Sequence, residues 1–170
     1  MSLAVNHLIG FGARLANGAG LPASYGADIT STSYVIYSTQ DGAYPATNAF
    51  DNNTGTTWYS TSSAINVWLG QDFGSGVTKT PRKVTITFST AGGASATYWP
   101  DTATLQYSDN GSAWTDVNEW YSAAPTLTLA QNTTPQSFEF EDGGAHRYWR
   151  FKMPDETYRA VGEIEMFEAA

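Results

Sequence analysis

Apolar and polar positions alternate with a period of two along much of the chain. "SYVIYS" (33–38), "NVWLGQDF" (66–73), "KVTITFST" (83–90), "ATLQYS" (103–108), "QSFEFE" (136–141) and "RYWRFKM" (147–153) are rich in β-branched and aromatic residues and predict strands. Turn signals separate them: Asp41-Gly42, Gly74-Ser75-Gly76, Gly92-Gly93, Asp109-Asn110-Gly111 and Asp142-Gly143-Gly144. No segment carries ten or more residues of helical period. Short strands at fairly even spacing predict an all-β sandwich or barrel.

The same pattern predicts finer features. In "YSDNGSAW" (107–114), Asn110-Gly111 predicts a hairpin, because Gly accepts positive φ without steric cost. Trp114 then starts the return strand and caps the core. "FEFEDGGAHRYWRFKM" predicts a second hairpin through Asp142-Gly143-Gly144, with Trp149, Phe151 and Met153 facing the core. Ile164 and Phe167 are expected near the core, and their spacing of three predicts a bend or bulge. Residues 1–27 are Gly/Ala-rich, with few strand formers after Phe11. They read as a lead-in arm to one domain over residues 28–168.

Composition narrows the function classes. The chain has 170 residues, 41% hydrophobic and 14% aromatic, enough to bury a sizeable core. Only 14% of residues are charged, and the net charge is −8. An acidic domain gains nothing from counterion release on nucleic acid, and anionic membranes repel it. Without cysteine there are no disulfides, no thiol catalysis and no thiolate metal sites. No apolar run is long enough to span a membrane, so no membrane insertion is expected. The N-terminal stretch lacks a basic n-region and predicts no signal peptide.

The stretch "NAFDNNTGTTWYS" (48–60) sets oxygen-bearing side chains between Phe50 and the pair Trp58-Tyr59. Hard cations such as Ca²⁺ take about six to eight oxygen ligands. Asp51, Asn52, Asn53, Thr54, Thr56 and nearby carbonyls can supply most of them. The same residues also build Asx and ST turns on their own backbone. Composition alone leaves both readings open.

Five motifs, in order, carry a resemblance: "AFDNNTGTTW" (49–58), "WLGQDFG" (68–74), "LQYSDNGSAW" (105–114), "HRYWRF" (146–151) and "GEIEMF" (162–167). Together they resemble the discoidin, or coagulation factor 5/8 type C, family, which merges with family 32 carbohydrate-binding modules. The resemblance covers about residues 28–168. It implies a β-sandwich jelly roll of the galactose-binding-domain-like type. It also implies a structural Ca²⁺ held by the Asn48 carbonyl, the Asp51 carboxylate, the Asn53 carbonyl, Thr56, the Gly162 carbonyl and the Glu163 carboxylate. Two departures stand out. Asn52 replaces the family's usual Gly, and Asn is the non-Gly residue most tolerant of left-handed backbone. Gln71 occupies an apolar strand position beside Leu69 and Phe73, so it needs a hydrogen-bond partner if buried.

No motif proposes catalysis. His7 lies in the arm, and His146 sits beside a turn. No Ser/His/Asp order repeats a nucleophile motif, and carboxylates such as Asp101, Asp109, Asp155 and Glu156 fall at turns. The expectation is therefore no enzyme, and a binding module instead. Family members bind ligands with loops at one end of the sandwich. Here the loops Tyr34–Tyr44, Tyr59–Ala64, Gly92–Trp99, Trp120–Pro125 and Pro154–Val161 hold many aromatic residues. Aromatic rings stack on the apolar faces of sugars, and a few polar groups fix the hydroxyls. Tyr158, Arg159, Trp99, Tyr37 and Tyr59 are the candidate contacts for a glycan or polysaccharide. Trp58, Trp68, Trp114 and Trp149 are expected to be structural.

Two other classes stay open. The opening "VNHLIGFGARL" resembles, in style only, bacteriophage or gene-transfer-agent appendage proteins. That would make the domain an assembly or receptor-binding module on a virion surface or outside a cell, joined to a particle or oligomer through residues 1–27. Protein or lipid adhesion is the third class, and the negative charge weighs against it.

Overall fold

The alternating segments become antiparallel strands. The computed structural model describes residues 20–61, 66–154 and 158–170; most of the lead-in arm, His7 included, lies outside the described residues. The strands are β1 (Tyr25–Asp28), β2 (Val35–Tyr37), β3 (Trp58–Tyr59), β4 (Trp68–Asp72), β5 (Lys83–Thr87), β6 (Thr102–Ser108), β7 (Thr115–Asp116), β8 (Thr126–Thr128), β9 (Gln136–Glu139), β10 (Tyr148–Lys152), β11 (Ala160–Val161) and β12 (Glu163–Ala169). Three short 3-10 turns, Thr32–Tyr34, Ala46–Phe50 and Ala91–Gly93, are the helical elements among the described residues.

One sheet runs β1-β12-β5-β9. The other runs β2-β4-β10-β6-β7, with β8 also pairing with β6, and a β3–β11 pair stands apart. Every named pairing is antiparallel. The core lies between the two large sheets. Leu69, Leu105, Trp149 and Phe151 come from one, and Val84, Ile86, Ile164 and Met166 from the other, all at 2% exposure or less. At about 1.5–3 kcal/mol per fully buried large side chain, these layers dominate the favourable side of folding. The all-β sandwich, and the inward set Trp149, Phe151 and Met153, are as expected from the alternation.

Three expectations change. Residues 138–153 do not form a hairpin: β9 belongs to the four-stranded sheet and β10 to the other, so the Gly143-Gly144 turn carries the chain across the sandwich. Trp114 does not cap the core. It lies on the outer face of the six-stranded sheet, where the Arg150 guanidinium sits 3.8 Å from its ring and 5.0 Å from that of Trp68. Phe167 is not a core residue either. β12 alternates regularly and buries Ile164 and Met166, while Phe167 packs under Lys83 Nζ at 4.3 Å. The irregularity falls instead in the β1–β12 register, between Tyr25 and Asp28.

Gln71 is fully buried and has its partners: its Oε1 accepts the Ser31 N–H at 3.1 Å, and its Nε2 donates to the Gly70 carbonyl at 3.4 Å. His146 bridges the Asp109 carboxylate and the Gly143 carbonyl and stacks on Tyr107 at 3.8 Å, a structural role.

Candidate functional site

Two features meet at one end of the sandwich. The first is the loop after the 3-10 turn Ala46–Phe50. That turn buries Ala46, Ala49 and Phe50 and so delivers Asp51 to the surface of the core. Asn52 follows with φ 57°, the left-handed conformation that Asn tolerates. The chain folds back, and Thr56 Oγ1 comes to 2.7 Å from the Asn53 carbonyl, 2.9 Å from Asp51 Oδ2 and 3.3 Å from the Asn48 carbonyl. Glu163, the first residue of β12, enters from the other side, and its Oε2 accepts the Asn53 N–H at 3.0 Å. Gly162 precedes it, packed so closely that a Cβ there would stand 2.8 Å from Ser89 Cβ. The predicted residues Asn48, Asp51, Asn53, Thr56 and Glu163 are thus brought together, with Gly162 adjoining.

The electrostatics of this loop centre on Glu163. Glu163 is 3% exposed, and its Oε1 is buried with no hydrogen-bond partner. Burial pushes its pKa up to about 8; the nearby Asp51 carboxylate adds to the rise and the Asn53 N–H opposes it. Ionised, this carboxyl would be an unpaired buried charge; the raised pKa avoids that cost by keeping the proton near neutrality, and a bound cation would be another way to relieve it. The donor set of two carboxylates, a hydroxyl and carbonyls has the chemistry that hard cations take. Asx turns are present as well, with Asp51 Oδ1 accepting the Asn53 N–H and Asn53 Oδ1 accepting the Gly55 N–H. No group of three or more His, Cys, Asp or Glu side chains poised for a metal occurs among the described residues. An ion here would therefore rely on carbonyls and Thr56 beside its two carboxylates.

The second feature is a cleft of about 300 Å³ lined by Asp41, Tyr44, Tyr59, Gly92, Gly93, Tyr98 and Tyr158. Backbone hydrogen bonds fix its walls: Asp41 N–H to the Tyr59 carbonyl at 2.8 Å, Tyr59 N–H to that of Tyr44 at 3.2 Å, and Ala160 N–H to that of Tyr98 at 2.9 Å. The four tyrosines form a continuous edge-to-face run. Ring centroids are 4.9 Å apart for Tyr44–Tyr59, 5.9 Å for Tyr59–Tyr98 and 6.0 Å for Tyr98–Tyr158. Tyr59 forms the floor, and burial raises its hydroxyl pKa, so it stays protonated near neutrality. Tyr158 forms the rim, 38% exposed, on a left-handed backbone with φ 57° that is unusual for a bulky residue. Gly92 approaches so closely that a Cβ there would enter the Tyr44 ring.

The model of the F5/8 type C domain family matches residues 28–167. This chain belongs to that family. The fold is shared with solved structures of low identity. A family 32 carbohydrate-binding module of NanJ from Clostridium perfringens, in complex with galactose, is 18% identical, with a TM-score of 0.65 over 84% of this chain and 98% of that one. A second Clostridium perfringens module, in complex with GalNAc-β-1,3-galactose, is 10% identical with a TM-score of 0.62, over 79% and 94% of the two chains. A chitosan-binding module from a Paenibacillus sp. chitosanase/glucanase is 18% identical with a TM-score of 0.63, over 84% and 100%. No curated protein matches the chain.

This F5/8 type C domain separates the candidate ligand residues. Tyr59 and Tyr158 line the cleft. Tyr37 is 42% exposed on β2 but does not line it. Trp99 is a core residue, 6% exposed, stacked on Phe88 at 5.2 Å with its Nε1 donating to the Ser89 carbonyl. Arg159 is 1% exposed, with its Nε 3.4 Å from the Pro154 carbonyl, so its guanidinium cannot meet a ligand at the surface. Just ahead of β11, Tyr158 is exposed and its neighbour Arg159 is buried. Sequence reasoning places Tyr44 and Tyr98 only among many loop aromatics, and reads Asp41 only as half of a turn pair. The close Gly92–Tyr44 contact is the signal it lacked. Residues 62–65 and 155–157, which take in parts of two of the predicted binding loops, lie outside the described residues.

Proposed function

We propose that this domain is a non-catalytic glycan-recognition module that binds sugar in the tyrosine cleft. The observation that carries the reading is the run of four tyrosines around a cavity of about 300 Å³, sized for one or two sugar rings. A pyranose stacks its apolar face on a ring. The tyrosine hydroxyls, the Asp41 carboxylate and the Gly92–Gly93 backbone are placed to meet its hydroxyls. The bound sugars of the NanJ module and of the other Clostridium perfringens module support the reading, because those modules share this fold. Among the described residues no helix is long and apolar enough to cross a membrane. The reading places the domain outside a cell or on a particle surface, where cell-surface glycans are met.

The same proposal includes a structural Ca²⁺ held by Asp51, Glu163, Thr56 and the carbonyls of Asn48, Asn53 and Gly162. Its support is the orphaned, buried Glu163 Oε1 facing this oxygen-rich loop. The ion would be structural and take no part in sugar contact.

A multivalent form of the protein on a glycan array tests the cleft. Single-site affinity is expected near the millimolar end, about −4 kcal/mol, and display of many copies raises avidity a hundredfold or more. Tyr158→Ala and Tyr44→Ala should each weaken binding tenfold or more, while Tyr37→Ala, away from the cleft, should leave it unchanged. Binding that survives both cleft substitutions rejects the site. Failure to bind any surface polysaccharide shifts the assignment to an assembly module that uses residues 1–27 to join a particle or oligomer.

A further inference from the structure

We infer that the cleft selects a sugar bearing a positive charge, an amino sugar with a free ammonium group, over neutral and anionic sugars. The inference rests on the glycan reading of the same cleft and narrows its ligand class. Three observations carry it. The first is the charge of the lining. Asp41 is the one ionisable carboxylate among the described lining residues, and no Lys, Arg or His lines the cleft among them. Its Oδ1 accepts the Ala43 N–H at 2.8 Å, which fixes the carboxylate in place, and the Asp41 carbonyl closes the turn by accepting the Tyr44 N–H at 3.1 Å.

The second observation is the aromatic surround. Rings of Tyr44, Tyr59, Tyr98 and Tyr158 stand in sequence around the cavity with interplanar angles of 60°, 67° and 81°. Roughly perpendicular neighbours turn ring faces and hydroxyl-bearing edges toward one volume. Ring faces attract cations, and a carboxylate beside them adds direct charge pairing. For a uronate or sialic acid the same surround is unfavourable, since Asp41 would repel the carboxylate and no cation in the lining would offset it.

The third is where the basic residues are. Arg147 is paired with Asp72 at 2.6 Å, Lys79 with Glu168 at 3.2 Å, Arg82 with Asp142 at 3.5 Å and His146 with Asp109 at 2.8 Å. Arg150 is sandwiched between tryptophans on the far sheet face, and Arg159 is buried. Lys83 lies over the Tyr25 and Phe167 rings and Lys152 lines a separate pocket with Asp116, so among the described residues no basic side chain joins Asp41 in the cleft lining, in a domain of net charge −8.

Isothermal titration of the full chain with methyl glucosaminide and with its N-acetylated counterpart tests the inference. The two ligands differ at nitrogen alone, in charge and in the added acetyl group; the pH dependence and the Asp41 variant separate charge from bulk, and monosaccharides avoid the diffuse attraction of polycations to an acidic protein. A methyl galactoside and a methyl galacturonide complete the set. The amine is expected to bind about tenfold tighter than the N-acetyl form, and the uronide not measurably. The advantage should fall as pH rises through the free sugar's own amine titration. Asp41→Asn, which keeps the Oδ1 acceptor for Ala43, should erase the advantage, so that the amine and the N-acetyl form bind the variant equally, whatever the variant costs all sugars alike through its hydroxyl contacts. Equal binding of amine and N-acetyl forms overturns the charge selection while the glycan reading stands. No binding of any sugar overturns both. An advantage that Asp41→Asn retains in full also overturns it, since the charge recognition would then lie elsewhere.

Discussion

Chelation is expected to lower the melting temperature of this domain, and Ca²⁺ at a hundredfold excess over its dissociation constant is expected to raise it by roughly 5–10 °C. The size follows from mass action: an ion that binds only the folded state stabilises it by about 2.7 kcal/mol at that excess. In a domain of this length each kcal/mol moves the midpoint by about 2–4 °C. The proposed ion would join the Asn48–Thr56 loop to the start of β12, two segments about 110 residues apart in the chain. The pH dependence has a definite sign. The Glu163 pKa is raised by burial, from 4.5 to about 8, so the metal-free folded state holds this proton more tightly than the unfolded chain does. Its contribution favours folding below about pH 4.5 and is lost as pH rises toward about 8. Ca²⁺ favours the ionised carboxylate, so the calcium-dependent gain grows over the same window. Glu163→Gln should raise the melting temperature of the chelated protein at pH 8 and abolish the calcium response. Asp51→Ala should remove most of that response. Identical melting with Ca²⁺ and with chelator at pH 8 would show that the loop is a plain turn.

Gly70→Ala should destabilise the domain by about 3 kcal/mol, near the upper end for overpacking a tight interior. Gly70 lies in β4 opposite Ile36 on one side and Arg150 on the other. A Cβ at this position would collide with the Trp149 carbonyl oxygen and stand 2.7 Å from Arg150 Cβ and 2.8 Å from Arg150 Cα. A carbonyl and a Cα of a paired strand cannot rotate away as a flexible side chain would. Relief requires β4 and β10 to separate, which strains the ladder between two strands of the larger sheet. Gly26→Ala is the matched control in β1, since its Cβ would meet only the Glu168 carbonyl at 3.9 Å. It should change stability by no more than about 0.5 kcal/mol. Urea unfolding midpoints measure both. A loss below about 1 kcal/mol at Gly70 would mean that the strands adjust without cost.

How much of this was legible beforehand depends on the kind of signal. The segments that became β4, β5, β6 and β10 follow strict alternation, and their inward residues are the ones the period selects, as with Trp149, Phe151 and Met153. β3, β7 and β11 are two residues long, too short for any periodicity to register. The 142–144 turn reads as a hairpin because a turn dipeptide reports a reversal, and whether the strands on either side share a sheet depends on distant partners. For the ion loop, composition left both readings open with the plain turn favoured, and the motif resemblance alone brought in Gly162 and Glu163. The cleft was half visible. The roll of loop residues included Tyr44, Tyr59, Tyr98 and Tyr158, but equally Trp99, which is in the core, and Arg159, which is buried just ahead of β11. Which loop side chains the rest of the fold covers is a tertiary fact.

The pairing of β1 with the end of β12 bears on how such a domain is carried. Tyr25 lies opposite Ala169, and the Ala170 N–H donates to the Ser24 carbonyl at 3.1 Å, so both backbone ends leave side by side. β12 runs seven residues from Glu163, beside the cleft end, to Ala169. At about 3.3 Å per residue that is roughly 20 Å of separation between exit and cleft. A tether at either end, or insertion of the domain into a host loop, would therefore hold it by its base with the tyrosines facing outward. Tandem copies joined at these ends could present several clefts on one side without any linker crossing a binding mouth.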